Sequence, residues 1–239
     1  MRTELSVVVP CYNEEKNIPL IVKRFKEAKP KDIDAELVMV DNGSTDGSNA
    51  LIKKLAKKHT YIKLAHVKKN IGYGFGVWTG LKKAKGEFIC WTHADMQTDL
   101  KDTFKAYRLA KKQKDPKNCF VKGSRKGREF MDNFFTIGMS AFETAWLGTS
   151  LWEINAQPNL FHKTFLKNTP NPPKDFAFDL YFYYIAKKKG YDVVRFPVEF
   201  KQRIHGTSHW NTSLKAKWKF IKRTLDFSFK LKKKIKDEK

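Results

Sequence analysis

Four short stretches hold most of the residues that could do chemistry, and each follows an apolar run: Pro10-Cys11-Tyr12-Asn13-Glu14-Glu15, Asp41-Asn42-Gly43-Ser44-Thr45-Asp46-Gly47, Asn70-Ile71-Gly72-Tyr73-Gly74-Phe75-Gly76 and Trp91-Thr92-His93-Ala94-Asp95-Met96-Gln97. The first two offer an aromatic face, acceptor carboxylates and glycine-permitted turns, a set suited to gripping a base and a ribose. Two helix caps are the competing account, because Asn13, Ser44 or Thr45 before a helix needs no ligand. In the third, closely spaced glycines would let backbone N–H groups approach an anion, while a tight turn with close helix packing explains them equally well. In the fourth, His93, Asp95 and Gln97 fall at alternate positions and share one side if the chain stays extended. Asp and Gln oxygens, with water and diphosphate oxygens, suit Mg2+ or Mn2+, and an imidazole tilts the choice toward Mn2+. A polar strand end followed by a cap at Thr98 or Asp99 is the alternative there.

The elements that must position these stretches read as strands alternating with helices. Leu5 to Val9 is a β-branched run closed by Pro10, as in a strand buried on both faces of a parallel sheet. Glu14 to Ala28 then sets Ile18, Ile21, Val22 and Phe25 at helical spacing. The cycle repeats through Glu36 to Val40, Thr45 to Lys58 and Tyr61 to Val67, then through a helix over Val77 to Ala84, a strand over Glu87 to Thr92 and a helix over Leu100 to Lys112. Phe120 to Lys122 reads as a short strand. The second half predicts helices over Phe134 to Leu147 and Phe178 to Lys189, the latter closed by Gly190, and a strand over Val193 to Phe200. This alternation implies an α/β fold with a mostly parallel, doubly wound sheet, whose ligands gather beyond the carboxyl ends of the strands. All four stretches fall at such ends.

The order Pro-x-Tyr-Asn-Glu, Val-Asp-Asn-Gly-Ser-Thr-Asp-Gly, Asn-x-Gly and Ala-Asp-x-Gln resembles family 2 glycosyltransferases of the GT-A fold, and among them the dolichol- or polyprenyl-phosphate sugar transferases, over about residues 4 to 210. The resemblance implies a Rossmann-like sheet in which Pro10, Tyr12, Glu14 and Asp41 bind the nucleoside and Asp95 and Gln97 serve metal and diphosphate, with Asn70 and Gly72 counted among the substrate-binding residues. It matches Gly123-Ser124-Arg125 to an element whose arginine faces the donor phosphates. Arg203-Ile204-His205-Gly206-Thr207-Ser208 is similar to a late loop that closes over the donor, which puts Arg203 and Ser208 in the site. His93 stands where the family has the first carboxylate of Asp-x-Asp. The Gln-x-x-Arg-Trp signature of processive synthases is absent, since Trp210 lies too far beyond Arg203, so the expected reaction transfers a single sugar with inversion.

In such a reaction the anomeric carbon becomes oxocarbenium-like as the nucleoside diphosphate leaves. A metal held by Asp95, with His93 and Gln97 as further candidate ligands, together with Arg125 and Arg203, would neutralise the departing charge. A polyprenyl-phosphate acceptor is already anionic and needs no base. A hydroxyl of a membrane-bound or cell-envelope glycan would need one, and Asp179 in Phe176-Ala177-Phe178-Asp179 is the candidate, although a first-turn carboxylate is also favoured by the helix dipole. Asn155-Ala156-Gln157-Pro158 looks like an acceptor-side segment.

Composition bounds these readings. The chain has 239 residues with 48 Lys+Arg against 25 Asp+Glu, a formal charge of +23, so an anionic partner is expected. A nucleic-acid-binding module would also use that charge, but no such motif is present and carboxylates at the strand ends would repel a phosphate backbone. A sugar nucleotidyltransferase would need a glycine-rich basic loop after the first strand, where Pro-Cys-Tyr-Asn-Glu-Glu stands. Cys11, Cys90 and Cys119 are odd in number and widely spaced, matching neither a disulfide framework nor a zinc knuckle. The opening Met-Arg-Thr-Glu-Leu and short Val-rich run are too soon polar for a signal peptide, and no stretch approaches the roughly 18 to 20 apolar residues of a spanning helix, so a cytoplasmic protein with peripheral membrane contact is expected. The reading divides the chain into a catalytic domain, 1–210, and a basic amphipathic helix, 211–239. That tail has a surplus of eight positive charges. Leu214, Trp218, Ile221 and Leu225 align along it, with Phe220, Phe227 and Leu231 beside them and Lys215, Lys219, Lys222, Arg223, Lys230 and Lys233 opposite, as in a helix lying on an anionic membrane surface. A C-terminal helix packed on the domain is the alternative.

Overall fold

The structure, a computed structural model, describes residues 3–126, 130–205 and 214–237. Its centre is a seven-stranded sheet in the order β3-β2-β1-β4-β6-β5-β7. The strands are β1 (Leu5–Cys11), β2 (Ala35–Asn42), β3 (Ile62–Val67), β4 (Phe88–Trp91), β5 (Cys119–Lys126), β6 (Asn159–His162) and β7 (Asp192–Glu199). The pairs β1–β2, β1–β4, β2–β3 and β5–β7 are parallel, and β6 runs antiparallel to both its neighbours. Six strands therefore end at one rim, and β6 starts there.

Both faces of the sheet are covered, which is why β1 and β2 read as continuous apolar runs rather than alternating ones. On one face Val7, Val9, Leu37 and Met39 pack with Ile18, Ile21 and Phe25 of α1 (Ile18–Ala28), Ile52 of α2 (Ser48–Lys58) and Phe104 of α4 (Lys101–Lys111). On the other, Val8, Val38, Val40 and Trp91 pack with Val77 and Leu81 of α3 (Tyr73–Lys83) and Phe178 and Phe182 of α6 (Ala177–Lys188). Gly80 lets α3 sit directly on the sheet, since a Cβ there would overlap the side chains of Val8 and Val40. Gly190 closes the last turn of α6 with φ of +73°, as its position predicts.

Several boundaries differ from the sequence expectation. The helix expected from Val77 begins at Tyr73, so part of the glycine run is its first turn. Strand β5 extends to Lys126 rather than ending at Lys122, because polar Lys122, Ser124 and Arg125 hide a strand whose partners are supplied by β6 and β7. β6 has no counterpart in the sequence reading: four residues are too few to show a period.

The C-terminal helix α7 (Leu214–Asp237) packs against α5 (Phe130–Leu147) and α6. Leu231 and Ser228 are buried, Ser228 Oγ donates to Glu143 Oε1 at 2.7 Å, and Phe227 meets Tyr181 edge-on. Part of the apolar stripe expected to face a membrane is thus spent on the protein's own helices, whereas Trp218 stays 65% exposed. No described helix is long and apolar enough to cross a membrane.

Candidate active site at the carboxyl rim of the sheet

The loops after β1 and β2 are tied to each other. Thr45 N donates to Asn13 Oδ1 (2.8 Å), Asn13 N to Ser44 Oγ (3.1 Å), Glu14 N to Ser48 Oγ (3.0 Å) and Glu15 N to Asp46 Oδ2 (3.2 Å). Neither α1 nor α2 has a side-chain cap, so these polar residues join two loops rather than merely starting two helices. Within the frame Tyr12 leaves 39% of its surface open, beside Pro10 at the strand end. Asp41 is deeper: its carboxylate accepts from Ser44 N (3.0 Å), Asn49 Nδ2 (2.6 Å) and His66 Nδ1 (2.8 Å), with 1% of the side chain exposed. Burial pushes its pKa up, but these donors outweigh burial and hold it below the usual carboxylate range.

Protein fills the space around the glycine run, where the sequence left open a phosphate cradle. Gly72 has φ of +136°, and a Cβ there would overlap the Lys174 carbonyl; one at Gly76 would overlap the Asn42 side chain. Asn70 Oδ1 accepts from Gly72 N at 2.9 Å, which keeps Asn70 within its own turn. Close packing of α3 against β2 and the 173–175 segment is the physical account of these glycines.

At the end of β4, Asp95 accepts from Gln97 N through Oδ1 (3.1 Å) and from Arg203 Nη2 through Oδ2 (2.9 Å). The segment after β7 is pinned across this turn by Lys201 N to Gln97 O (2.8 Å) and Gln97 Nε2 to Lys201 O (3.1 Å). Burial raises the pKa of Glu14, and its field includes both Asp95 and Arg203, so the first loop faces this cluster. Asp41 and Asp95 therefore share one rim with Glu14 and Arg203. Gly206, Thr207 and Ser208 lie outside the described residues. Two open depressions, of 290 and 540 Å³, lie along α4 and include none of these residues.

Beneath the rim lies a polar floor that sequence reasoning largely missed. Lys122, 0% exposed, donates to Ala156 O and Asn159 Oδ1, both at 2.8 Å. Asn159 Nδ2 donates to Gln157 Oε1 (2.9 Å), and Gln157 Nε2 donates to Asp179 Oδ1 (2.8 Å) and Tyr73 OH (3.2 Å). Asp179, at the first turn of α6, is 3% exposed; burial pushes its pKa up, opposed first by Lys122 and then by His93. The Tyr73 ring bridges the groups, stacking on Phe176 at 5.1 Å and tilted against His93 at 5.7 Å. Arg125 is held at Glu153, which accepts from Arg125 N (3.1 Å) and Ser124 Oγ (2.7 Å) and lies 3.4 Å from Arg125 Nε. The guanidinium expected at the donor phosphates is thus paired with a carboxylate here. No local pattern marks Glu153 or Asn159: their partners come from strand β5, some 28 to 37 residues away.

The donor set at Asp95 fits a hard divalent cation in part. Asp95 and Gln97 supply oxygens, and Asp95 Oδ2 already faces a cationic group, Arg203. Among the described residues no three His, Cys, Asp or Glu side chains assemble a cage. One carboxylate plus substrate phosphates is how Mg2+ is commonly held, so a ligand's phosphates would have to complete such a site.

The sheet and its helices recur in solved GT-A glycosyltransferases. A mannosyltransferase from Pyrobaculum calidifontis, solved in complex with GDP-Man and Mn2+, superposes over 87% of this chain and 59% of its own with a TM-score of 0.63 at 22% identity, a likeness of fold. Residues 6–188 match the model of glycosyl transferase family 2, and the chain belongs to that family. It is 31% identical over 148 residues to a dolichyl-phosphate beta-glucosyltransferase of Trichomonas vaginalis, covering 56% of this chain and 46% of that protein. It is 28% identical over 134 residues to the undecaprenyl-phosphate 4-deoxy-4-formamido-L-arabinose transferase of Proteus mirabilis, covering 55% and 39%. The matched segments span less than half the length of these two relatives.

Proposed function

We propose that this chain transfers one sugar, with inversion and without processivity, from a UDP- or GDP-sugar to a polyprenyl phosphate at a membrane surface. One observation carries the reading: Glu14, Asp95 and Arg203, from three separate segments, gather at one sheet rim, with Arg203 bound to Asp95, and Asp41 stands at the end of the neighbouring strand at the same rim. The two curated relatives named above act on lipid phosphates, which supports the acceptor class.

In this reading Pro10, Tyr12, Glu14 and Asp41 hold the nucleoside, and Asp95 and Gln97 would hold Mg2+ or Mn2+. The cation would supply charge neutralisation on the leaving group. Arg203 supplies the same from the segment after β7. Arg125 would contribute to donor binding after leaving Glu153. An acceptor phosphate oxygen attacks the anomeric carbon as its bond to the β-phosphate oxygen breaks; the nucleoside diphosphate departs with the electron pair, and no proton need move. Transfer to a glycan hydroxyl is the second reading, favoured by the buried Asp179 carboxylate, which would take the hydroxyl proton. Exposed cations of α7 and Trp218 would hold the protein to an anionic leaflet on the cytoplasmic face.

The test is incubation of purified protein with radiolabelled sugar nucleotides and membranes. Label in the lipid extract that disappears with Asp95→Asn is expected; label only in an aqueous glycan would support the hydroxyl reading, and no transfer at all would contradict both.

A further inference from the structure

The buried lysine in the floor goes beyond that reading. An ammonium only donates, so the Asn159 atom 2.8 Å from Lys122 Nζ must be the amide oxygen. That choice turns Asn159 Nδ2 toward Gln157 (2.9 Å) and Asp179 Oδ1 (3.4 Å). Gln157 must then present Oε1 to Asn159, which turns its Nε2 to Asp179 Oδ1 at 2.8 Å. The polarity of one cation is passed through two amides and fixes what the carboxylate receives.

We propose that Lys122 is a positioning residue: through Asn159 and Gln157 it aims two amide NH2 groups at Asp179, so that Asp179 stands as an obligate acceptor for a substrate hydroxyl. The role of that hydroxyl rests on the glycosyltransferase reading above; the orientation of the amides does not. The groups facing Asp179 are Lys122 from β5, Gln157 from the segment leading into β6, Asn159 at the start of β6, His93 and Trp91 from β4 and its turn, and Tyr73 from α3. Burial pushes Lys122 toward the neutral amine, and Asp179 opposes that. Its two oxygen acceptors and the Tyr183 ring, 5.5 Å from Nζ, favour the ammonium. The hydroxyl could belong to the donor sugar or to the acceptor, and the assay below separates them.

The test uses the full chain carrying isotope-labelled aspartate, with infrared spectra at neutral pH and steady-state kinetics. Lys122→Met is expected to gain a protonated-carboxyl band that is absent from wild type and from Lys122→Met/Asp179→Asn. It is also expected to lose about 10- to 100-fold in kcat, with nucleotide affinity unchanged. Loss of donor hydrolysis without acceptor would assign the hydroxyl to the donor sugar, and loss only with acceptor would assign it to the acceptor. Asn159→Asp covers the case in which Lys122→Met does not fold. It keeps an oxygen for Lys122 but forces Gln157 to turn its oxygen toward Asp179, so the same band and the same loss are expected. Wild-type kcat with no new band, in either variant that folds, overturns the proposal. A new band in a protein whose wild type transfers no sugar would leave the orientation standing and remove the glycosyltransferase reading.

Discussion

At the scale of single residues, the strongest constraint is that buried polar groups need partners, and the rim satisfies it by joining distant segments. Asp95 joins the β4 turn to the segment after β7 through Arg203. Asp95→Asn is expected to reduce kcat by about 100-fold or more with little change in the unfolding midpoint, because it removes the carboxylate that would hold the cation and that pairs with Arg203, and leaves the turn's Asn-compatible geometry. Full activity in that variant would remove Asp95 from the mechanism. The rim positions of Tyr12, Glu14, Asp41 and Asp95 were legible in the sequence because each lies at or just after an apolar run that forms a strand ending there. Lys122 and Glu153 were not: a lysine in β5 looks like a surface residue until Asn159 and Ala156, more than 30 positions later, close over it. The glycine run was legible as a turn, yet its role in packing depended on Lys174, about a hundred residues away.

At the scale of elements, α3 and the α5–α7 pair give opposite lessons. α3 lies on the sheet with no room at Gly80, so Gly80→Ala is expected to destabilise the fold by about 1–3 kcal/mol in urea titration, despite the better helix propensity of alanine. A neutral or stabilising result would mean that α3 can shift off Val8 and Val40. The α5–α7 contact buries Glu143, whose Oε2 has no hydrogen-bond partner, and burial pushes its pKa from 4.5 up to about 7. The folded state therefore holds the proton more tightly than the unfolded state. The associated stability is fully present below pH 4.5 and is lost as pH rises toward 7. Glu143→Gln is expected to match wild type in acid and to exceed it by about 1–3 kcal/mol at alkaline pH, read from denaturation midpoints across that range. A difference independent of pH would show that Glu143 titrates normally. The amphipathic period of α7 was readable, but not what covers it: a hydrophobic stripe looks the same to a membrane and to a neighbouring helix.

At the scale of the whole molecule, +23 charges surround a rim lined with carboxylates, so the field gathers anions generally while the rim must select among them. On α7, Lys222, Arg223, Lys230 and Lys233 are exposed although the opposite face is packed. Replacing these four by glutamine is expected to weaken binding to vesicles rich in anionic lipid by about 1 kcal/mol per charge, with a shallower salt dependence, and to spare binding of a free nucleotide. Unchanged vesicle binding would place the membrane contact elsewhere. The alternation of strands and helices, and hence the shared rim, followed from periodicity alone. The antiparallel insertion of β6 did not, and it is Asn159, the first residue of β6, that joins Lys122 to Gln157 in the floor of the site. The most direct measurement of the central claim is a crystal structure of the chain grown with UDP or GDP. The nucleotide is expected between the Tyr12 loop and Asp95, with its diphosphate toward Arg203. A nucleotide bound along α4, or a rim left empty at saturating concentration, would contradict the account.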